Sequence, residues 1–514
     1  MTLKARSIAL LLSVVTPIGC GGNPDTTPHA DDEVTVQPKS ASSLPIEKQT
    51  QAATSNLNPS SEFQSPVLLS EPHTVLQPAT VSDELASQEK AEGEYYRLPH
   101  EKRSLNAVRL KELGIEVIEQ KGKAFRLVTD LPKESRLPLE SLVDDLLPTL
   151  EAYFGSLPPA PDRVPLHITG FVMSKLEPFQ SEDLVPEFET SNFHGKQMGA
   201  EFWMMNQKSD YYRSHLLLHE ATHVYMRQFA NRGDWLPAWY LEGMAEFFAT
   251  HERQADGTIK FAVNPRDRFG MPGWERIAVI QRDIAGRGVR SLREVLRLDH
   301  PDFNVIESYA WSWAACKFLD SHPASQKLFR GLASRMTREL VTNLNERLLD
   351  KFDADLEANW MQYVAGLEFD FDFERAAIRF GSGELLHGQP REVDVDTSRG
   401  WQSSGIEVVA GSKYRVAATG QFTVADKPKA WACEANGVSI RYVRGQPIGR
   451  LLACVRTKGG EQSARSMLEV IPLGNDINFE PEFSGVLYLR VNDSYAELAD
   501  NRGKLHVSVV EVSE

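Results

Sequence analysis

A chain of 514 residues is too long to fold around a single hydrophobic core, so two or more domains are expected. Its 41% hydrophobic and 25% charged residues are ordinary for a globular protein. The formal net charge of −15 argues against nucleic acid or an anionic membrane surface as a charge-driven partner, and it identifies no substrate.

The first twenty residues, MTLKARSIALLLSVVTPIGC, set Lys4 and Arg6 ahead of an apolar run at residues 8–15 and end on Gly19-Cys20. That run is too short to span a bilayer and reads as an export signal over residues 1–20. It resembles a bacterial lipoprotein signal. The resemblance implies lipidation of Cys20 and an exported protein, periplasmic or at the cell surface, held to a membrane through that lipid alone. Residues 21–91, with stretches such as SASSLPIEKQTQAATSNLNPSSEFQ, are rich in Pro, Ser, Thr, Gln and Ala and show no sustained apolar period. Such a segment buries too little to offset the cost of ordering, so a flexible tether is expected.

Folded protein is predicted from about residue 92. KAFRLVTDLP alternates like a strand, LESLVDDLLPTLEAYFG has helical spacing, and VPLHITGFVM and GAEFWMMN read as further strands. Helices then dominate from Tyr211 to about Ala365. Residues 92–372 are thus read as an α+β domain, a mixed sheet followed by a mostly helical lobe. Beyond them, IEVVAG, YRVAATGQF, SMLEVIPL, GVLYLRVN and KLHVSVVEV are short strand-like runs broken by Gly, Asn, Asp and Pro. Residues 376–514 are read as an all-β antiparallel sandwich. Cys433 and Cys454 fall together in that region and could pair in an oxidising compartment, whereas Cys316 reads as a small buried hydrophobe.

Chemistry concentrates in SHLLLHEATHVYMRQFA. On a helix, His219 and His223 lie one turn apart on one face and can aim at a single ion. Glu220 is offset by about 100°, beside the ion, where a carboxylate can take a proton from a metal-activated water. A catalytic zinc needs a third protein ligand and an open position. WLPAWYLEGMAEFFAT reads as a second helix that carries Glu242 and, one turn on, Glu246. Eighteen residues separate His223 from Glu242, enough for a helix end, a turn and a returning helix. Four buried ionisable groups in apolar helices cost several kcal/mol each unless partnered, which makes an accidental cluster a poor account of them.

HEATH followed by LEGMAEF resembles the gluzincin, peptidase-MA-like metallopeptidases, the group that includes aminopeptidase N. The motif-level similarity covers residues 214–250. It implies a zincin-like fold for the α+β domain, His219, His223 and Glu242 as zinc ligands, and Glu220 as general base. It further implies Glu246 as a carboxylate that orients a ligand histidine. Leu241 stands where many aminopeptidases carry Asn. Related enzymes place a tyrosine or histidine from a later helix on the developing oxyanion. Tyr309, in ESYAWSWAACKFL, is the candidate here, with Tyr240 a weaker one. His215 lies one turn before His219 on the same face, but the ligand set is complete without it.

The C-terminal region, over about residues 400–509, resembles the calcium-dependent galactophilic lectins of the PA-IL type. Asn492-Asp493, then Asp500-Asn501 and Gly503, carry the likeness. It implies Ca²⁺ held by Asp493, Asp500 and Asn501, with Glu497 offering its carbonyl. The same Asp and Asn residues would also serve a tight β-turn. The stretch GQFTVADKPKAW lacks the tyrosine and the His/Gln pair with which those lectins hold sugar. The expectation is therefore an exported, lipid-anchored zinc metallopeptidase acting on a protein or peptide, with a lectin-like accessory domain that could meet a glycan or surface ligand. The alternative is a surface adhesin or carbohydrate-binding lipoprotein whose zincin fold is a scaffold only.

Overall fold

The computed structural model describes residues 105–157, 165–186, 194–229, 236–333, 344–349, 352–427 and 429–512. The export signal at 1–20 and the tether at 21–91 lie outside the described residues, as does the expected domain start at 92.

The first layer is a five-stranded mixed sheet of β1 (Glu116–Glu119), β2 (Phe125–Thr129), β3 (Ile168–Met173), β4 (Gly195–Met198) and β5 (Glu201–Met205), in the order β1-β2-β3-β5-β4. The inner pairs β2–β3 and β3–β5 are parallel, and the two edges are antiparallel. Composition follows position. ITGFVM of β3 is buried throughout, as a strand covered on both faces should be, whereas the edge strand GKQM alternates between half-buried and exposed. Helix α1 (Leu142–Phe154) buries Leu142, Leu146, Leu150 and Phe154, one stripe at fourfold spacing.

Behind the sheet runs α2 (Asp210–Phe229), buried around most of its circumference and free of Gly and Pro. Next, α3 (Ala238–Ala249) starts directly after Pro237, whose fixed φ suits a helix entry. The two helices run antiparallel, because His223 meets Glu242 while His215 meets Glu246. Helix α4 (Arg276–Arg287) and helix α5 (Ile306–Ser321) complete the packing around them. Contact between α3 and α5 is close enough to dictate a residue. A Cβ on Gly243 would stand 2.5 Å from the Ser312 carbonyl oxygen and 2.7 Å from Cys316 Sγ, so only glycine lets the helix carrying Glu242 settle there. Among the described residues no helix is long and apolar enough to cross a membrane.

After α6 (Ala354–Ala365) the chain builds two facing sheets. Their strands are β6 (Arg391–Asp396), β7 (Gln402–Val408), β8 (Tyr414–Thr419), β9 (Asn436–Val443), β10 (Gln446–Arg456), β11 (Asp476–Phe479), β12 (Gly485–Val491) and β13 (Lys504–Glu511). One sheet is ordered β9-β10-β12-β7, extended by the short pairs at Glu384–Leu385 and Ile471–Pro472; the other is β11-β8-β13-β6. Period-two burial along β7, β8 and β13 turns Ile406, Val416 and Val507 into the layer between them. Two details differ from expectation. Cys433 and Cys454 are buried and unpaired. The stretch SMLEVIPL is mostly not a strand: a helix ends at Ser466, and only Ile471–Pro472 pairs. Burial of Ala464 and Met467, three residues apart, favours the helical turn there.

One apolar core runs from the helical lobe into the strands that follow residue 376. Leu452, Cys454 and Tyr488, on the outer face of the first sheet, join the same apolar cluster as the helical lobe, together with Trp401, Tyr495 and Leu498. Gln362 of α6 accepts from Trp401 Nε1 at 2.9 Å and donates to the Met467 carbonyl at 2.8 Å. The buried Arg490 guanidinium lies 4.3 Å from the Tyr495 ring and 5.6 Å from that of Trp401. A desolvated cation on aromatic faces contributes on the order of 2 kcal/mol per good contact, so this joint is a built one.

Candidate metal centre

Three donor atoms converge between α2 and α3. His219 Nε2 and His223 Nε2 lie 3.0 Å apart, and each stands 3.2 Å from Glu242 Oε2. The two rings are edge-on, with an interplanar angle of 88°, so their nitrogens point to a common spot. Ligands about 2.0–2.1 Å from a tetrahedral zinc are separated from each other by roughly 3.3 Å, and this triangle has that size. Among the described residues this is the one group of three His, Cys, Asp or Glu side chains whose donor atoms all lie within 4.8 Å of one another. Two neutral-capable imidazoles and a carboxylate suit zinc in chemistry as well as in spacing. The electrostatics agree. Burial disfavours charge on His219, but the neighbouring Glu242 and Glu246 carboxylates outweigh it and hold its imidazolium well above the usual histidine range. Burial also works against ionised Glu242, yet His223 and His219 keep its carboxyl below the usual range. The negative field of the two carboxylates thus draws positive charge to this spot.

Glu220 is not a member of the triangle. It sits beside it, 5% exposed, facing the edge strand β4. A Cβ on Gly195 would stand 2.2 Å from Glu220 Oε1, so the glycine leaves the space the carboxylate occupies. Burial pushes the Glu220 carboxyl up to about 7. That environment suits a group that must accept and release a proton near neutrality.

Glu246, 2% exposed, lies behind the histidines. Its Oε1 is 3.4 Å from His219 Nδ1, a long and poorly aligned contact, and its Oε2 is 3.1 Å from His215 Nε2. Arg276 clamps it from the other side, donating Nη2 to Oε1 at 2.8 Å and Nε to Oε2 at 2.9 Å. His215 therefore touches the outer carboxylate and not the triangle. Tyr309 comes near: its ring centroid is 6.2 Å from that of His219, and its hydroxyl donates to the Phe303 carbonyl at 3.3 Å. Burial, with Glu242 and Glu220 close by, pushes that phenol above its ordinary range, so it stays a proton donor. Tyr240 packs on Trp239 and Phe329 instead. Sequence reasoning missed Gly195 and Arg276. Each acts from a separate element, with no periodicity or motif to connect it to HEATH.

In the sandwich, Asp493, Asp500 and Asn501 gather in the loop between β12 and β13. Asp493 and Asn501 are fully buried, and Asp493 Oδ2, Asp500 Oδ1 and Asn501 Oδ1 have no hydrogen-bond partner. Such orphaned oxygens are what a hard cation takes. Arg441 intrudes, however: its Nη2 lies 3.2 Å from Asp493 Oδ1 and also bonds Glu497. Burial pushes the Asp493 carboxyl up to about 6.

No protein-family model matches the chain, and no curated protein matches it. Its structural neighbours are weak. A PllA-like lectin, the N-terminal domain of EclA, is 19% identical over 24% of this chain and 95% of its own, at a TM-score of 0.19. An aminopeptidase N family protein from Idiomarina loihiensis is 12% identical, covering 77% of this chain and 69% of its own, at a TM-score of 0.27. The IMPa metallopeptidase from Pseudomonas aeruginosa is 10% identical over 75% of this chain and 46% of its own, at 0.15.

Proposed function

We propose that this chain is a zinc-dependent peptidase of the gluzincin type, exported and lipid-anchored, whose zincin-like domain is joined to a lectin-like accessory sandwich. One observation carries the enzymatic reading: the His219–His223–Glu242 triangle, with Glu220 beside it and Glu246 behind. Zinc held by those three residues would supply Lewis-acid polarisation of the scissile carbonyl and make water acidic enough to attack near neutral pH.

The chain's own residues do the rest. Among the described residues no strand pairs with the outer side of β4, and an extended peptide backbone can pair there as an added strand and so lie along the site. Glu220, next to Gly195 of that strand, takes the proton from the attacking water. As the carbon–nitrogen bond breaks, the same carboxyl returns the proton to the leaving amine. Tyr309 turns its hydroxyl from the Phe303 carbonyl to the oxyanion. Glu246 fixes the ring of His219. In the sandwich, the orphaned oxygens of Asp493, Asp500 and Asn501 support Ca²⁺ as a second, separate ion, with Glu497 contributing its carbonyl.

The test is metal analysis of the full chain paired with cleavage of a peptide library by the wild type and Glu220→Gln. About one zinc per chain is expected in both. The variant loses about 10²–10⁴-fold in turnover. Equal turnover removes Glu220 as the base, and a metal-free wild type removes the peptidase.

A further inference from the structure

We infer that Arg276 is a positioning residue of the metal centre, acting through Glu246 on His219. The inference rests on the zinc reading above and extends it to a helix that the HEATH and LEGMAEF segments do not include.

The outer carboxylate is saturated in an ordered way. Glu246 Oε1 meets Arg276 Nη2 and faces His219 Nδ1; Oε2 meets Arg276 Nε and faces His215 Nε2. A planar guanidinium bonding both oxygens fixes the carboxylate's plane as well as its place, which a lysine cannot do. The carboxylate plane in turn sets which way the His219 ring faces, and so where Nε2 points. Arg276 is itself held, at 3.3 Å from the Tyr212 hydroxyl and with its charge 5.7 Å from that ring. The line runs from the half-buried Tyr212 through the buried Arg276 and Glu246 to His219, whose Nδ1 stands 3.4 Å from Glu246 Oε1.

The position of Arg276 makes a purely structural role a poor account. It is the first residue of α4, where the helix macrodipole is positive and a cation is disfavoured. It is also 3% exposed, so water does not offset that placement. A local helix-stabilising choice there would be an acid. Glu246 lies one turn from Glu242 on α3 and on the Nδ1 side of His219, so Glu242 is the carboxylate that faces both imidazoles.

The test measures zinc affinity of the full chain by chelator competition, alongside the visible spectrum of the Co²⁺-loaded protein, for wild type, Arg276→Met, Arg276→Lys, Glu246→Gln and the Glu246→Gln/Arg276→Met double variant. Arg276→Met should weaken zinc by about 10–100-fold, the range for losing a group that orients a ligand, and should shift the Co²⁺ bands. Arg276→Lys should fall between it and wild type. In the Glu246→Gln background, removing Arg276 should cost little more, because its route to the metal is gone. The double variant carries no unpaired buried charge, so it reports even if Arg276→Met fails to fold. Wild-type affinity and an unchanged spectrum in Arg276→Met, or an equal loss with and without Glu246, overturns the inference. A wild type that binds no zinc overturns the peptidase reading first, and this one with it.

Discussion

Two clusters in this molecule gather carboxylates around a point, and each has an arginine. Between α2 and α3 the arginine is one step removed: Arg276 binds Glu246, which lies behind the histidines, and Glu242 is left facing the imidazoles. In the β12–β13 loop it sits on the candidate ligands themselves, with Arg441 against Asp493 and Glu497. Coulomb attraction falls only with the first power of distance, so an arginine behind a site still lowers its net negative charge while leaving its donor atoms free. An arginine within the site competes for the donors as well. The helix pair is therefore arranged for a cation from outside the chain. The loop already holds one of its own, yet still leaves three oxygens unpartnered.

The largest break in this comparison comes from removing one imidazole. His223→Ala takes away a vertex of the triangle, so zinc affinity should fall by more than the roughly 10–100-fold expected for an outer partner. Peptide cleavage should fall at least as far as in Glu220→Gln, and here because the metal is lost. Any Ca²⁺-dependent change in thermal unfolding should be untouched, since the two clusters lie on different elements. Isothermal titration with each ion on the same variant checks both halves. Zinc binding at wild-type strength in His223→Ala would separate the triangle from the metal.

How far the sequence carried the two clusters differs for a physical reason. His219, Glu220 and His223 lie on one helix and Glu242 and Glu246 on another, so their faces follow from a period of 3.6 residues and the structure brings them together as that period implies. The mixed sheet and the alternation of the sandwich strands were legible on the same terms. Gly195, Arg276 and Arg441 were not. Each meets its partner across elements that are distant in the chain, and a lone glycine or arginine carries no periodic signature. The shared core was hidden too. Tyr488 and Leu452 look like ordinary outward or inward strand residues until they are seen in one apolar cluster with the helical lobe. SMLEVIPL misled because local apolar alternation was overridden by the packing of Ala464 and Met467 as a helical turn.

A smaller effect tests whether the base and the metal are separable. Gly195→Ala places a methyl group 2.2 Å from where Glu220 Oε1 now stands, so the carboxylate must shift. Misplacement by about 1 Å can cost on the order of 10²-fold in rate, so a 10–100-fold loss in kcat is expected. Neither histidine is displaced, and zinc stoichiometry and affinity should hold. Lost zinc would mean that β4 supports the triangle and not the base alone. Unchanged kcat would mean that Glu220 has room the packing does not suggest.

The smallest effect sharpens the second cluster. If Arg441 stands in for part of a cation's charge, Arg441→Met should bind Ca²⁺ more tightly than the wild type. The variant takes the arginine off Asp493 Oδ1, which keeps its bond from the Ser494 N–H, and off Glu497, and so removes a like charge from the site. Without Ca²⁺ it should be the less stable protein, because Asp493 is then a buried carboxyl with one partner fewer. With Ca²⁺ that loss should be recovered. A ligand at 100 times its Kd stabilises by about 2.7 kcal/mol, so the Ca²⁺-dependent rise in Tm should exceed the wild-type rise by a few degrees. Because Tyr495 and Leu498 of this loop belong to the core shared with the helical lobe, the shift should appear in the unfolding of the whole chain and not in a separate transition. Equal shifts in the two proteins would make Arg441 a bystander. No shift in either would leave the oxygens of Asp493, Asp500 and Asn501 as parts of a turn.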